Sequence, residues 1–378
     1  MKYIGYYPIE EGKGIKRNSS PAGKSKMDYI ISLINRNNQS VEIISACDSV
    51  YGFAQGCKKK LEGGNTIQIF TSLGKRNKMS IIIDYIIMKL QLLRALMKIK
   101  RGETVVCYHS LGYAKMVYLL HRVKKFNLVL EVEEIYQDVV PCGAWKAYWE
   151  RKIISGADGY ILAAEELSSE IPLKKPYIVI NGTYRSELER HECFNDEKIH
   201  CVYAGTFDPT KGGAAAAAAA EFLPENYHVH ILGFGTDEQI EQLKDLISTI
   251  QKKTKCTLTY DGLKSGEEYI QFLQKCQIGL CTQIPDAKYT KTSFPSKVLV
   301  YLANGLRVLS VRIPAVENSA VGGVLYYYDK QSPQEIANAI MDIPMEEGYN
   351  SRQLLNQLDK DCENNLKRLM EKINNESD

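Results

Sequence analysis

The sequence predicts an α/β protein of two doubly wound domains that face a cleft, and three observations lead to this prediction. Short runs rich in Val, Ile and Tyr alternate with helical stretches, which is typical of βαβ units and a parallel sheet. The alternation stops at residues 182–197, a polar and weakly periodic stretch, and then starts again. The length of 378 residues is sufficient for two such domains.

The first domain is predicted to span residues 1–182. Its strands are short and apolar, as buried strands are, and we place them at residues 3–7, 41–46, 66–71, 104–109, 127–132, 159–163 and 177–180. Helical stretches separate them at residues 25–35, 79–99, 114–124 and 145–155.

The second domain, predicted over residues 198–345, repeats this pattern. Strands are expected at residues 200–204, 228–232, 257–260, 278–282, 307–311 and 324–328. Helices are expected at residues 211–222, 236–251, 266–275, 295–304 and 334–341. A last helix, within residues 351–378, carries one apolar stripe. We expect it to pack back on the first domain.

Charge and cysteine usage narrow the functional class. Residues 1–190 carry 29 Lys and Arg against 19 Asp and Glu, a net charge of +10, whereas residues 191–378 carry −7. This asymmetry suggests that the first half faces an anionic partner. The ten cysteines show no C-x-x-C spacing, so we expect reduced core thiols and no metal site. The chain opens on a predicted strand, from which we expect no signal peptide and a cytoplasmic protein.

A strand, a glycine turn and an alanine-rich helix form the most informative stretch. The strand ends at Gly205, Thr206 begins a turn, and Lys211 with Gly212 and Gly213 opens the predicted helix. A helix start leaves backbone N–H groups unpaired and exposes the positive end of the dipole, which favours an anion. The lysine adds a full positive charge, so this turn is predicted to hold a phosphate.

Three further loops follow strands of the second domain. In the last of them, Pro295 and Ser296 suit a helix start as N1 proline or cap. Lys297 then lies in the first helical turn, where the dipole opposes a cation unless an anion is near. We therefore expect Lys211 and Lys297 to hold a diphosphate together; the alternative is two solvated surface lysines. The predicted donor-binding residues are Gly205, Thr206, Lys211, Gly212, Gly233, Gly235, Gly262, Leu263, Pro295, Ser296 and Lys297.

These motifs, in this order, resemble the GT-B glycosyltransferases that build bacterial surface polysaccharides. The resemblance rests on residues 203–212, 232–235 and 294–305 of the second domain, and on residues 108–110 and 131–136 of the first. It implies two Rossmann-like domains, a nucleotide-sugar donor in the second domain and an acceptor in the first. It also implies that helix dipoles and basic residues, rather than a metal, offset the diphosphate charge.

The sequence departs from that family at two positions. Retaining members usually carry two glutamates eight residues apart around the last motif, and the corresponding residues here are Thr292 and Val300. The second glutamate would bind ribose hydroxyls, which Val300 cannot do. The departure puts in question whether the usual retaining mechanism operates.

The candidate catalytic residues lie at strand ends of the first domain. His109 is expected to face the cleft, and the resemblance suggests that it contacts the donor sugar; the alternative is a structural histidine. Alternation along the strand places Glu131 and Glu133 on one face. We favour Glu133 or Glu134 as the general base for an acceptor hydroxyl, against the alternative of a charged loop with one ion pair.

The function predicted from the sequence is transfer of a sugar from a UDP-linked donor to a saccharide or lipid-linked acceptor in cell-surface polysaccharide synthesis, with no cofactor and no nucleic-acid partner. A nucleotide-sugar epimerase of the same fold is one alternative. A catalytically impaired nucleotide-sugar-binding protein is another, because the two glutamates are missing. Two other motifs are incomplete. Residues 22–25 resemble the end of a P-loop but lack its first glycine, which argues against a nucleoside triphosphatase. Gly233-x-Gly235 lacks the third glycine of a dinucleotide fingerprint, which argues against a dehydrogenase.

Residues 75–101 form a basic amphipathic segment. Asp84, Gln91 and Arg94 share one face, and the other face is largely apolar: Ile82, Ile83, Ile86, Leu90, Leu93 and Met97. Such a helix usually covers a sheet. The second hypothesis is peripheral contact with the anionic inner face of a membrane, since the domain is basic and the family has lipid-linked acceptors.

Overall fold

The computed structural model describes residues 1–9, 17–18, 20–50, 52–74, 77–139, 142–190, 193–286, 288–346 and 348–375. Parts of three predicted segments lie outside these residues: 75–76 of the basic segment, 191–192 of the polar stretch between the two predicted domains and 376–378 of the last helix. The chain forms two compact units, Met1–Thr183 with Asp361–Asp378, and Tyr184–Lys360.

The first unit contains an eight-stranded sheet in the order β3-β4-β2-β1-β5-β6-β7-β8. All neighbours are parallel except β3, which pairs antiparallel with β4. The strands are β1 Lys2–Gly5, β2 Glu42–Ser45, β3 Cys57–Lys60, β4 Thr66–Ile69, β5 Thr104–Tyr108, β6 Asn127–Val132, β7 Gly159–Leu162 and β8 Tyr177–Val179.

Helices of the first unit alternate with these strands and supply apolar side chains to a core that includes Ile4, Leu96, Val117, Leu130 and Ile153. They are α1 Pro21–Arg36, α2 Lys78–Met97, α3 Ala114–Lys124, α4 Tyr136–Val139 and α5 Ala144–Gly156. The sequence did not indicate β3. Three consecutive lysines break its alternation, and charged side chains are typical of an exposed edge strand.

The second unit contains a six-stranded sheet in the order β11-β10-β9-β12-β13-β14, and all neighbours are parallel. In chain order this is 3-2-1-4-5-6, the strand order of the Rossmann fold. The strands are β9 Ile199–Thr206, β10 Tyr227–Phe234, β11 Thr257–Gly262, β12 Ile278–Cys281, β13 Arg307–Val311 and β14 Tyr326–Tyr328.

Helices connect these strands, as parallel pairing requires. They are α6 Gly213–Ala219, α7 Asp237–Gln251, α8 Gly266–Gln274, α9 Lys297–Ala303, α10 Pro314–Glu317, α11 Pro333–Met341 and α12 Ser351–Asn375. The predicted fold class of two Rossmann-like α/β domains is confirmed. The structure moves several predicted boundaries by one to four residues, and two of these changes affect the candidate site.

The last helix, α12, contributes to both units. Its final turns pack on the first sheet: Ile373 is 1% exposed, and its Cδ1 lies close to Gly159 of β7. The Asn374 side chain accepts a hydrogen bond from Thr104 Oγ1 at 2.7 Å.

All ten cysteines are free, and seven of them are buried. Within the described residues, no helix combines the length and hydropathy that a membrane crossing requires.

Candidate functional site

The second sheet separates at its topological switch point, between β9 and β12. These strands pair only near their beginnings, at Cys201 with Ile278 and Val202 with Gly279. Farther along, the Ala204 amide donates to the Tyr301 hydroxyl of α9 at 2.8 Å. The buried Tyr301 side chain therefore bridges the strands where their backbones no longer pair. Ligands of open α/β sheets bind in the crevice outside the carboxyl ends of the strands at such a point.

The loops after β9 and β12 are joined at Gly212. This glycine has φ +91°, and a Cβ there would lie 1.8 Å from the Thr282 carbonyl oxygen. The Thr282 hydroxyl donates to the Gly212 carbonyl at 2.7 Å, and the Ile284 amide donates to Thr210 O at 3.0 Å. Only glycine fits this close approach, so Gly212 is what allows the loop after β12 to contact the backbone of the loop after β9.

Lys297 is the central cation of this crevice. Its half-buried Nζ lies 4.0 Å from the centroid of the Tyr203 ring and 3.4 Å from the Lys211 carbonyl oxygen, beside Gly205. No carboxylate of the described residues lies within 4.0 Å of it. Burial, with a smaller contribution from Lys211, lowers the pKa of the Lys297 ammonium to about 8. A cation in this position is costly unless an anion joins it.

Two of the predicted local roles are wrong. Lys211 does not open a helix: it ends a 3₁₀ turn, Pro209–Lys211, and α6 begins two residues later, after the left-handed Gly212. Pro295 is not the N1 residue of α9, because α9 begins at Lys297. Ser296 occupies the N-cap position, as predicted, but its hydroxyl makes no capping hydrogen bond. Because Gly212 has a left-handed backbone conformation, α6 cannot begin before Gly213. The placement of Lys297 in the first turn of α9 is confirmed.

The turn around Lys211 also contains an acid. The Asp208 carboxylate caps the 3₁₀ turn by accepting the Thr210 amide at 2.8 Å. Hydrogen bonds from Thr210 lower the pKa of Asp208, and Lys211 lowers it further. Lys211 is therefore partly compensated, whereas Lys297 is not. Of the two lysines predicted to hold the diphosphate, Lys297 is therefore the stronger candidate to bind an anion.

The second glycine loop packs directly on the first. Gly233 has φ +142° and pairs with Gly205 in the β9–β10 ladder, where a Cβ at Gly233 would lie 1.7 Å from Gly205 O. Gly235 precedes Thr236, which caps α7 reciprocally with Gln239. Thr206 ends β9. These residues therefore lie at the carboxyl ends of adjacent strands, as the sequence predicted.

Gly262 and Leu263 lie one strand farther out, at the end of β11. Gly262 has φ +73° and open space around it, and Leu263 is 65% exposed. The order of strands in the sheet places β11 at the edge, with β10 between it and β9. A ligand that contacts both the switch point and Leu263 must span β10.

Two carboxylates meet at the end of β6 in the first unit. Glu131 is fully buried and accepts a hydrogen bond from Tyr3 OH, and its other neighbour is the carboxyl of Glu133. Glu133 Oε1 lies 2.6 Å from Lys26 Nζ, a lysine buried on α1. Burial raises the pKa of Glu131, and Glu133 raises it further. The predicted shared face of Glu131 and Glu133 is confirmed; their contacts with Tyr3 and Lys26 were not foreseen.

His109 follows β5 and is 1% exposed. Its Nδ1 lies 3.3 Å from the Glu134 carbonyl oxygen, and its Nε2 lies 3.5 Å from Glu150 Oε1. Burial lowers the pKa of His109 to about 4. The ring is therefore neutral at pH 7 and held by the backbone of Glu134. The catalytic assignments of His109, Glu133 and Glu134 stay predictions.

Helix α2 packs on the core through Leu92, Ala95 and Leu96, which lie on the same side of the helix as Asp84. Its Asp84 is buried and accepts from the Leu73 amide at 2.7 Å, and Gln91 bonds both backbone groups of Thr71 at 2.9 and 3.0 Å. All six residues of the predicted apolar face are exposed: Ile82, Ile83, Ile86, Leu90, Leu93 and Met97. Met79, Ile81 and Tyr85 of α2 are exposed as well, and the nine side chains are 38–65% accessible. The expectation that this face covers the sheet is wrong, because α2 packs through its other side, where Asp84 and Gln91 make hydrogen bonds and Leu92, Ala95 and Leu96 are buried.

The exposed face of α2 belongs to a larger apolar and basic surface. Helix α3 packs against α2 and α5. On α5, Trp145 is 63% exposed and carries the Lys115 ammonium 4.6 Å from its ring centroid. Tyr148 is 50% exposed, with Lys152 Nζ at 5.5 Å from its ring centroid. We call the exposed residues of α2 with Lys115, Trp145, Tyr148 and Lys152 the α2 surface.

Comparison with solved structures extends the fold assignment to the whole chain. A trehalose-phosphate synthase (UDP-forming) from Burkholderia xenovorans, in complex with glucose-6-phosphate, matches with a TM-score of 0.69 and 12% identity, over 98% of this chain and 99% of that one. HepE from Anabaena, in complex with UDP and glucose, matches with a TM-score of 0.61 and 13% identity, over 100% and 98%. No family model matches the sequence, and no curated protein is significantly similar to it.

A third structure, a trehalose-6-phosphate protein from E. coli bound with UDP-2-fluoro glucose, has a TM-score of 0.68 at 9% identity, over 99% of this chain and 98% of that one. Identities this low establish the fold alone. The chain therefore has the GT-B fold of two Rossmann-like domains.

Proposed function

We propose that this protein is a glycosyltransferase that moves a sugar from a nucleotide-sugar donor to a saccharide or lipid-linked acceptor in the synthesis of cell-surface polysaccharide. The observation that carries the proposal is the half-buried Lys297 ammonium, which faces the switch point of a Rossmann sheet without a carboxylate among the described residues. A diphosphate bound there would supply the missing negative charge.

The chemistry of transfer suits this arrangement. Negative charge grows on the leaving nucleoside diphosphate as the glycosidic bond to phosphate breaks. Cations already fixed at that position stabilise the transition state without reorganisation. Lys297, with Lys211 nearby, provides such charge, so the proposal includes transfer without a divalent metal.

The donor is proposed to be UDP-linked. HepE and the E. coli protein, which share this fold, were crystallised with UDP or a UDP-sugar. The uracil and ribose would lie toward the loops of Gly233, Gly262 and Leu263, where β10 and β11 end. Val300 cannot accept a ribose hydroxyl hydrogen bond, so we propose that backbone groups bind the ribose.

Acceptor activation is proposed for the first unit. A general base must accept a proton near neutral pH, and Glu133 is the most accessible member of the carboxyl pair, with 24% of its side chain exposed. Lys26 Nζ, 2.6 Å from Glu133 Oε1, holds this carboxyl in place at the end of β6. Glu134 remains the alternative base, and His109 is proposed to act as a neutral hydrogen-bonding group toward the donor sugar.

A nucleotide-sugar-binding protein without transferase activity is the second candidate. It is favoured by Thr292 and Val300, which replace the two acidic residues of retaining relatives. This candidate shares the diphosphate site and differs only in turnover, so one experiment separates the two.

Membrane association is proposed through the α2 surface. Apolar side chains, exposed Trp and Tyr rings and lysines together are the composition of interfacial membrane contacts. The +10 charge of residues 1–190 adds attraction to anionic lipid. A lipid-linked acceptor would then be delivered to the unit that carries His109, Glu133 and Glu134.

Calorimetric titration with UDP, GDP, ADP and dTDP, followed by a turnover assay with the corresponding sugars, tests the proposal. We expect micromolar binding of one diphosphate, UDP foremost, and slow release of free nucleotide from its sugar, which acceptor accelerates. Addition of Mg²⁺ or Mn²⁺ should not change the rate. Binding without any release would support the second candidate, and absence of binding for all four nucleotides would contradict both.

A further inference from the structure

Three of the six histidines of the chain meet at the amino-terminal end of the second sheet. His200 lies at the start of β9, and His228 and His230 lie at the start of β10, where the strand register pairs His228 with His200. One nitrogen from each ring lies within 4.8 Å of one from each of the others. His200 and Thr206 are six residues apart on β9, so this cluster is about 20 Å from the carboxyl ends that form the nucleotide crevice.

The outer nitrogens of two of these rings are held by carboxylates. His200 Nε2 lies 2.7 Å from Asp196 Oδ1, and His230 Nδ1 lies 3.1 Å from Asp261 Oδ2. Each of these nitrogens must carry its proton to donate to a carboxylate. A histidine that donates one N–H to a carboxylate and points the other nitrogen at a common centre is the usual second-shell arrangement of metal ligands.

The inner nitrogens then present lone pairs to each other. His200 Nδ1 lies 2.9 Å from His230 Nε2. With both outer nitrogens protonated, two neutral rings leave two acceptors and no hydrogen between them, an arrangement that needs a shared cation.

We propose that His200, His228 and His230 bind one divalent first-row transition-metal ion, with Asp196 and Asp261 as supporting carboxylates. Imidazole nitrogen suits Zn²⁺ among such ions. A tetrahedral zinc site with bonds of about 2.0–2.1 Å separates its ligand nitrogens by about 3.3 Å, so the 2.9 Å pair opens by only a few tenths of an ångström. This inference is independent of the proposed function.

The third ligand requires one local movement. The His228 ring stacks on His230, with centroids 3.8 Å apart, and its Nε2 lies 3.0 Å from Thr259 Oγ1. It reaches the ion after turning about χ2, and a water completes four ligands. The carboxylates of Asp196 and Asp261 balance the charge of the ion. The nearby cation, the Lys198 ammonium, donates a hydrogen bond to Thr257 Oγ1 at 2.5 Å.

The site would fasten β9 to β10 and to the segment that carries Asp196. Phe194 of that segment stacks on His200, with ring centroids 4.1 Å apart. Because the metal binds only the folded arrangement, it should raise thermal stability through linkage. No catalytic role is assigned to it.

The experiment uses the untagged full chain, freed of metal with a chelator and titrated with Zn²⁺ by calorimetry. We expect one ion per chain and a rise in melting temperature. Variants His200→Gln and His228→Gln should each weaken binding at least tenfold, and Asp261→Asn should weaken it less. His121→Gln, a buried histidine of the first unit outside the cluster, should leave the affinity unchanged.

Imidazole ¹⁵N spectra of the wild-type chain give a result that does not depend on any variant folding. Zn²⁺ should shift the inner nitrogens of His200 and His230 while their outer nitrogens stay protonated. The inference is overturned if Zn²⁺ leaves these signals unchanged, or if they show one proton shared between the two rings that excess Zn²⁺ does not displace. It is also overturned if the His200 and His228 variants bind Zn²⁺ as the wild type does.

Discussion

The Lys297 ammonium lies over the face of the Tyr203 ring, 4.0 Å from its centroid. This contact joins the first turn of α9 to the middle of β9 and holds a cation at the mouth of the switch point. A ring face and one carbonyl stabilise the charge less than water and a carboxylate would, and burial accordingly lowers the pKa of Lys297 to about 8. The first three predictions follow from this site.

Replacing Lys297 by Met should stabilise the free protein and weaken nucleotide binding. The substitution removes a poorly solvated cation while keeping its aliphatic volume, so we expect the free energy of unfolding at pH 7 to rise by about 1 kcal/mol. UDP affinity should fall at least tenfold, about 1.4 kcal/mol, because a charge-assisted hydrogen bond is lost. Lys211→Ala should weaken UDP similarly without the gain in stability. Lys253→Met, at an exposed lysine, is the control; equal UDP affinity in all four proteins would refute the site.

The pH dependence of the same lysine has a definite sign. Between about pH 8 and 10.5 the unfolded chain keeps the Lys297 proton that the folded chain has lost, so stability rises with pH in this interval. A bound diphosphate favours the charged form, so UDP affinity should instead fall as pH rises through about 8. Calorimetry in buffers of different ionisation enthalpy should detect proton uptake on binding near pH 8.5. The uptake should vanish in Lys297→Met; its persistence there would assign it to another group.

Gly212→Ala should separate the two loops of the crevice. The added Cβ would lie 1.8 Å from Thr282 O and occupy a left-handed backbone position. We expect a loss of about 3 kcal/mol in unfolding free energy and weaker UDP binding, because clash adds to strain. Gly266→Ala is the matched control, with φ +56° and open space around it; it should cost about 1 kcal/mol. Equal costs for the two variants would contradict the close approach.

The Glu131 and Glu133 pair should make stability fall as pH rises. The pKa of Glu131 is raised above its ordinary 4.5 by burial and by Glu133, so above pH 4.5 the folded chain retains a proton that the unfolded chain has released. Urea unfolding at pH 5 and pH 8 should show this loss in the wild type and not in Glu131→Gln. Glu62→Gln, at an exposed site, should behave as the wild type. A wild type without the loss would contradict the raised pKa of Glu131.

The α2 surface should bind anionic vesicles. In sedimentation with phosphatidylglycerol vesicles, we expect binding that weakens with salt and is lost in the double variant Ile82→Ser with Ile86→Ser. Met341→Ser, at an exposed apolar residue of the second unit, is the control. A wild type that stays in the supernatant at low salt would contradict membrane contact. Concentration-dependent dimerisation lost in the same double variant would instead assign the surface to a second copy of the chain.

Local patterns in the sequence were sufficient to locate the strands of the second unit and the glycine loops at Gly205 and Gly233. Strand alternation and glycine turns involve neighbouring residues, so the sequence displays them directly. The start of α6 could not be read in this way. It depends on Thr282, 70 residues away, whose carbonyl leaves room only for glycine at position 212.

Helix α2 shows a different limit. Its period grouped the apolar residues from Ile82 to Met97 on one face, but periodicity does not say which face meets the protein. Arg94, predicted on the polar face, is exposed, whereas Leu92 and Leu96 are buried. Asp84 and Gln91 satisfy backbone groups of the loop after β4, and these hydrogen bonds decide the orientation. The histidine cluster shows a third limit: His228 and His230 share a strand face by spacing, yet their meeting with His200 depends on the β9–β10 register.

The account depends most on where the diphosphate binds, and a crystal structure of the chain with UDP measures this directly. We expect the pyrophosphate between the ends of β9 and β12, with an oxygen within hydrogen-bonding distance of Lys297 Nζ. A pyrophosphate bound to the first unit, or one in the second unit that leaves Lys297 on Tyr203 without a phosphate contact, would contradict the account.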